Sequence, residues 1–281
     1  MGVRLVAAGL LVAIAVSGAA AGAGGIAATV RYLEARQQVS GGFAERNRDA
    51  APDLTAWVVL ALRAAGAKPP RAAGDYLAAH ENALTTATDL ALAALAKSAL
   101  GADPNTLLAR LRAQERASGA IGPAVNSTVW SIIALRQAGQ TVPPKTVRYV
   151  LSQQARSGGW SWNPGGAPDS NDTAAAVEAL TAAGVRGKPI RRALRYLRRL
   201  ENRDGGFALV AGRASDAQST AWAIQAFLGA RVSPPRAAFA FLARLRRPDG
   251  SYRYSARYAT SPTWVTAQVL PAVARRAFPL R

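Results

Sequence analysis

Apolar and polar positions along this chain follow two helical patterns that alternate. In Pro189–Leu200, Ile190, Leu194 and Leu197 fall on one face, while Arg191, Arg192, Arg195, Arg198 and Arg199 fall on the other. That spacing predicts an amphipathic helix with one wet side. By contrast, Thr173–Ala183 and Thr220–Leu228 carry little charge and predict helices buried nearly all round. The first kind belongs outside a core and the second inside it.

The alternation is a repeat. Aligned on a threonine followed six and seven residues later by a small and then a large apolar residue, the units are Thr55, Thr88, Thr128, Thr173, Thr220 and Thr263, spaced 33, 40, 45, 47 and 43 residues apart. A period in this range signals stacked supersecondary units. Upstream of each threonine lies a helical segment with an aromatic or leucine anchor, such as Tyr32-Leu33 or Tyr196-Leu197. A glycine turn and an aromatic plug often intervene, as in Gly41-Gly42-Phe43, Gly158-Gly159-Trp160 and Gly205-Gly206-Phe207, where glycine supplies positive φ and ends the helix. The second unit lacks this loop. Six helix-loop-helix units after position 23 favour closure over an open solenoid, because a ring leaves no exposed terminal repeat. The expected fold is an all-α, single (α/α)6 toroid over residues 24–281.

Composition narrows the chemistry. The 281 residues are 50% hydrophobic and 18% charged, which predicts a folded chain with a sizeable core. There is no cysteine and one histidine, His80, so disulfides, thiol catalysis, cysteine-ligated zinc and multi-histidine metal sites are excluded. No metal or cofactor is expected. His80, near the end of an outer helix, reads as a surface or dipole partner. Lysine and arginine number 35 against 16 acidic residues, a net charge of +19 that favours anionic surfaces such as a cell envelope. The arginine-rich outer helix lacks interleaved aromatics, so nucleic acid is not the expected partner. Residues 1–23 combine Arg4, the apolar run Leu5–Val16 and small residues from Ser17, with cleavage sites after Ala21 or Ala23. This is the pattern of a secretory signal peptide, so a secreted or envelope-associated protein is expected.

With these parts in place the chain resembles the prenyltransferase and squalene-cyclase repeat superfamily over about residues 27–271. Tyr149-x3-Gln153-x4-Gly158-x-Trp160 is similar to the QW motif of terpene cyclases, and Asp169-Ser170-Asn171-Asp172-Thr173-Ala174 is similar to the D-x-D-D-T-A acid motif of squalene-hopene cyclases. The resemblance implies an α/α toroid. In those cyclases the middle aspartate protonates the substrate, and here that position is Asn171, whose amide cannot deliver a strong acid's proton. Squalene cyclases also carry a second toroidal domain, for which this chain has no length. The zinc ligands of the protein prenyltransferases and the cysteine of thioester domains are missing. The helical domain of cobalamin transporters is a further, non-catalytic relative.

Two functions follow from these residues. One is non-catalytic binding of an apolar or amphiphilic small molecule, a prenyl lipid or a cobalamin-like ligand, or an envelope interaction. The alternative is a terpene cyclase or prenyltransferase-like enzyme with an atypical acid, in which Asp169 and Asp172 are the catalytic candidates. The expected ligand-binding residues are Trp57, Trp130, Trp160, Trp162, Asp169, Asn171, Asp172, Trp222 and Trp264. Asn171 shares its place before the repeat threonine with Asp53, Thr86, Asn126, Gln218 and Ser261, polar in every unit, and is assigned chiefly to helix capping. If all inner helices run parallel, their N-termini and Arg46, Arg48, Arg156, Arg213, Arg253 and Arg257 make one end of the ring a mouth for an anionic head.

Overall fold

The computed structural model describes residues 24–280; the expected signal segment, residues 1–23, and Arg281 lie outside the described residues. Six inner helices form the ring: α2 (Pro52–Ala64), α4 (Ala87–Ala99), α6 (Val125–Gln137), α8 (Ser170–Ala182), α10 (Ala217–Gly229) and α12 (Pro262–Val273). Each packs on the next, and α12 packs back on α2, so the ring is closed. The outer layer comprises α1 (residues 24–34), α3 (Arg71–His80), α5 (Asn105–Arg112), α7 (Pro144–Ser152), α9 (Lys188–Arg198) and α11 (Arg236–Leu245). A two-stranded antiparallel ribbon, β1 (Phe207–Ala208) and β2 (Ser215–Asp216), precedes α10. The chain is therefore an all-α (α/α)6 toroid. Among the described residues no helix is long and apolar enough to cross a membrane.

The repeat threonine has a specific task. Its hydroxyl accepts the backbone N–H of the plug residue that follows the glycine turn: Phe43 to Thr55 (2.8 Å), Ile121 to Thr128 (3.0 Å), Trp160 to Thr173 (2.9 Å) and Phe207 to Thr220 (2.9 Å). In the sixth unit the acceptor is Thr266, bonded by Tyr252 at 2.9 Å, not Thr263 as the sequence alignment has it. The register of that unit is thus three residues later than its threonine pattern indicates. The glutamine of the turn is likewise Gln154 rather than Gln153; its Nε2 donates to the Gly158 and Pro189 carbonyls, both at 2.9 Å.

Four of the loops also serve a neighbouring repeat. The Trp162 carbonyl accepts the first free N–H groups of α6, from Val125 (2.9 Å) and Asn126 (3.1 Å). Leu209 does the same for Ser170 of α8 at 2.9 Å, and Tyr254 for Ala217 of α10 at 2.7 Å. At the seam the Glu45 carboxylate accepts from Thr263 (3.0 Å) and Trp264 (2.8 Å), so the first loop caps the last inner helix. This completes the circle by the logic used elsewhere in the ring. Glu45→Ala is expected to destabilise the fold by about 2 kcal/mol, since two N–H groups lose a charged acceptor. Urea unfolding of this variant beside Glu45→Gln, which keeps an acceptor oxygen, measures the effect.

Candidate active site

The N-terminal ends of the inner helices converge on a cavity of about 320 Å³. Its wall takes residues from every inner helix: Asp53 and Trp57 (α2), Asp89 and Leu92 (α4), Asn126 and Trp130 (α6), Asn171, Asp172 and Ala175 (α8), Gln218 and Trp222 (α10), Trp264 and Gln268 (α12). Trp162, Leu209 and Asp169 complete it from the loops.

The deepest layer is set by the position two residues after each structural threonine. On alternate helices it holds Trp57, Trp130 and Trp222; between them it holds Ala175, Gln268 and, in the second unit, which lacks the plug loop and its threonine bond, Leu92. Large and small residues thus alternate around the ring, and the three indoles meet edge to face on its axis, with centroids 5.3, 5.8 and 5.5 Å apart. Trp222 is pinned by its Nε1–H, which donates to Gln268 Oε1 at 3.1 Å. Trp264 lies a turn nearer the mouth and meets only Trp57 among them, at 6.1 Å.

Below the indoles the C-terminal segment turns back into the ring. The Phe278 ring sits 6.2, 6.0 and 6.3 Å from Trp57, Trp130 and Trp222. Its N–H donates to Glu178 Oε1 at 3.0 Å, and the Leu280 N–H donates to Gln137 Oε1 at 2.9 Å. Glu178 is fully buried, and that desolvation pushes its carboxyl well above the ordinary carboxylate range, against the opposing bond from Phe278. Sequence reasoning missed this element by treating the tail only as basic; Phe278-Pro279-Leu280 was its signal.

The chemistry sits at the start of α8. Asp169 is the N-cap, its Oδ1 accepting the Asp172 N–H at 2.8 Å. Asp172 is 6% exposed, and Asn126 Nδ2 donates to its Oδ1 at 2.7 Å. Burial, and then the charge and hydrogen bond of adjacent Asp169, raise the Asp172 pKa to about 8, against the opposing Asn126 bond. Asp172 is therefore a neutral carboxylic acid at pH 7, in the wall of an aromatic cavity. Asn171 also lines the cavity, with its Oδ1 accepting from Ser170 at 3.1 Å.

Several expectations are corrected. Asn171 is not a cap; nor are Asn126 and Gln218, and Asp53 takes up the Leu54 N–H at 2.8 Å from within the helix rather than from the N-cap position; all four stand inside the first helical turn and face the cavity. The side-chain caps are Thr86, Asp169 and Asp216. Ser261 holds the N-cap position of α12 but makes no side-chain cap bond. Trp160 is not a binding residue: it is 1% exposed, does not line the cavity, and donates its Nε1–H to the Val150 carbonyl at 2.7 Å as hairpin core. Trp160→Phe is expected to cost about 1 kcal/mol in thermal or urea unfolding, the value of one buried hydrogen bond, and to leave ligand affinity unchanged. The mouth is not basic either. None of the six loop arginines lines it, whereas Asp53, Asp89, Asp169 and Asp172 do. Loop carbonyls and carboxylates already take up helix N–H groups that the anion argument counted as free. Trp57, Trp130, Trp162, Trp222, Trp264, Asp169, Asn171 and Asp172 are brought together as expected. His80 lies apart, at the end of α3, stacked on Tyr76 at 4.1 Å.

The ring of six hairpins around an acid-bearing aromatic cavity has the α/α toroid fold of the terpenoid cyclases. No family model matches the chain. Drimenyl diphosphate synthase of Streptantibioticus cattleyicolor is 31% identical over 204 residues, which cover 60% of this chain and 38% of that protein's length. A variant of the type II terpene cyclase MstE from Scytonema, solved with its substrate geranylgeranyl dihydroxybenzoate, superposes with a TM-score of 0.69 at 16% identity, covering 90% of this chain and 97% of that one. The solved chain of that cyclase thus has about the extent of this one ring. The unsaturated glucuronyl hydrolase of Bacillus sp. GL1 also superposes, at a TM-score of 0.58 and 15% identity over 92% of this chain and 95% of that one. The ring alone therefore does not choose a reaction.

Proposed function

We propose that this protein is a terpene cyclase that begins by protonation, with Asp172 as the acid in place of the residue at Asn171. The observation that carries the reading is Asp172 itself, a carboxyl held neutral at pH 7 in the wall of an indole-lined cavity. The likeness to drimenyl diphosphate synthase and to the Scytonema cyclase supports it over non-catalytic binding.

In this reading an isoprenoid enters with an alkene at Asp172. The carboxyl proton passes to one alkene carbon, leaving Asp172 as carboxylate and the other carbon cationic. Further alkenes attack in turn, each forming a C–C bond and moving the positive charge along. The faces of Trp57, Trp130, Trp222 and Trp264 stabilise that charge, and the carboxylates at the mouth do so by direct attraction. Loss of a proton from the final cation gives an alkene and balances the first step. The acidic mouth favours a polar end that is neutral or a hydrogen-bond donor over a diphosphate. Incubation with neutral prenyl compounds, followed by mass spectrometry of extracted products, tests this. Cyclic isomers of unchanged mass from the wild type, absent with Asp172→Asn, are expected; recovery of only linear compound overturns it.

Asn171 keeps a second reading in view, a cavity that holds an isoprenoid without turning it over; saturable tryptophan quenching with no product would establish that. Residues 1–23 are further proposed to direct export, with an intact mass corresponding to cleavage after Ala21 or Ala23 as the check.

A further inference from the structure

The floor of the cavity is an unusual construction. Trp57, Trp130 and Trp222 reach the ring axis from alternate helices and close it by touching one another. Only Trp222 among them has an indole hydrogen bond to a side chain, to Gln268. Among the described residues no indole hydrogen bond holds Trp57 or Trp130. What lies beneath is the Phe278 ring, 3% exposed and in contact with all three indoles. Phe278 is itself held by backbone bonds to two side chains of the ring, Glu178 on α8 and, through Leu280, Gln137 on α6. The tail enters from the end opposite the mouth, beside a separate cavity of about 420 Å³ lined by Arg63, Gly66, Leu228, Arg276, Pro279 and others.

We infer that Phe278 is the specificity-determining residue for ligand length: by holding the three indoles across the axis, it sets how deep an apolar chain can reach. This rests on the reading of the cavity as an isoprenoid site and adds what limits that isoprenoid. A chain longer than the cavity must push the indoles down, and with Phe278 in place they have nowhere to go, because a close-packed interior does not yield continuously. Shortening Phe278 gives Trp57 and Trp130 room to tilt toward the tail and lengthens the site along its axis. Enlarging it has the opposite effect. Phe278 touches no part of the acid pair, so it acts on length without acting on Asp172.

The test is a length series of saturated, unreactive prenyl alcohols from two to five isoprene units, titrated by tryptophan fluorescence quenching against wild type, Phe278→Ala and Phe278→Leu. The expected result is that Phe278→Ala moves the tightest-binding length up by at least one isoprene unit. The ratio of long-chain to short-chain affinity should then rise about 10-fold, with Phe278→Leu intermediate. If Phe278→Ala does not fold, Phe278→Leu and Phe278→Trp carry the comparison, the latter shifting the preference to shorter chains. Superimposable length profiles in variants that bind would overturn the role of Phe278 while leaving the isoprenoid site intact. Absence of saturable binding in every protein, wild type included, would remove the isoprenoid reading and this inference with it. Cyclisation plays no part in the readout, so a cavity that binds without turnover gives the same shift.

Discussion

Asp172→Asn is expected to lower turnover of a cyclisable isoprenoid by 10²-fold or more, the usual contribution of a general acid. The amide keeps the shape of the side chain and can still meet Asn126, so binding measured by tryptophan quenching should change little. The wild-type rate should depend on pH with the protonated form active, holding level below about pH 8 and falling above it, as the Asp172 pKa of about 8 requires. The limb belongs to the Asp169–Asp172 pair rather than to one residue. Asp169→Asn removes a charge that raises the Asp172 pKa, so the limb should move to lower pH. The same shift has a stability consequence of defined sign. The folded state holds this proton more tightly than the unfolded chain, where the carboxyl has its ordinary value of 3.8. Asp172 therefore favours folding least where it must ionise, and its contribution falls as pH rises from about 4 to about 8. Asp172→Asn should remove that part of the pH dependence in urea titrations. A rate that rises through pH 8, or survives in Asp172→Asn, removes Asp172 from the role of acid.

Gly158→Ala is expected to cost about 4 kcal/mol. Gly158 has φ +101°, which an L-residue adopts at a cost of about 1–2 kcal/mol. An added Cβ would stand 2.6 Å from the Arg192 carbonyl oxygen of α9, so the turn must also move. That turn is tied by Gln154 to the Gly158 and Pro189 carbonyls and by Arg192 Nη2 to the Ala155 and Arg156 carbonyls, each at 2.9 Å, so movement breaks several bonds together. Gly184→Ala is the control. Its φ is +90°, yet nothing lies within 4 Å of the added Cβ, and a cost of about 1 kcal/mol in urea unfolding is expected from φ alone. Equal losses at the two positions would mean that the contact with α9 does not matter. The inter-repeat contact recurs at the seam, where an added Cβ on Gly250 would run into the Ala28 carbonyl of α1.

The ring was legible because a repeat imposes its period on every unit: the amphipathic face of α9 and the uncharged α8 and α10 read directly as outside and inside. Register within the last unit was not. Thr263 and Thr266 both lie near the start of α12, and they are distinguished only by tertiary bonds, from Tyr252 to Thr266 and from Thr263 to the Ala44 carbonyl across the seam. The capping error has a similar source. Asp169 and Asn171 are both good cap residues two positions apart, and the helix begins where a neighbouring loop, through the Leu209 carbonyl, takes the Ser170 N–H. That is a contact between units, invisible to a comparison of units. The indoles and the Asp pair were found because chemically conspicuous residues stand at repeat positions. Trp160 stood at one too, and its Nε1–H went to the backbone instead. The floor was missed because Phe278 belongs to no repeat, and the acidity of the mouth was missed because helix dipoles were counted without asking which N–H groups already had acceptors.

Three indoles held edge to face at 5.3 to 5.8 Å around an axis form a chiral array of identical transition dipoles. At such separations their excited states couple, and the circular dichroism of the protein should carry a paired positive and negative band in the indole region over the helical signal. Loss of a single member, as in Trp130→Phe, would remove two of the three couplings and so weaken and reshape the paired band, leaving the Trp57–Trp222 contact at 5.8 Å and the helical bands in place. The molecule thus carries its own optical gauge of whether the ring axis is open or shut, readable without a label and before any ligand is known.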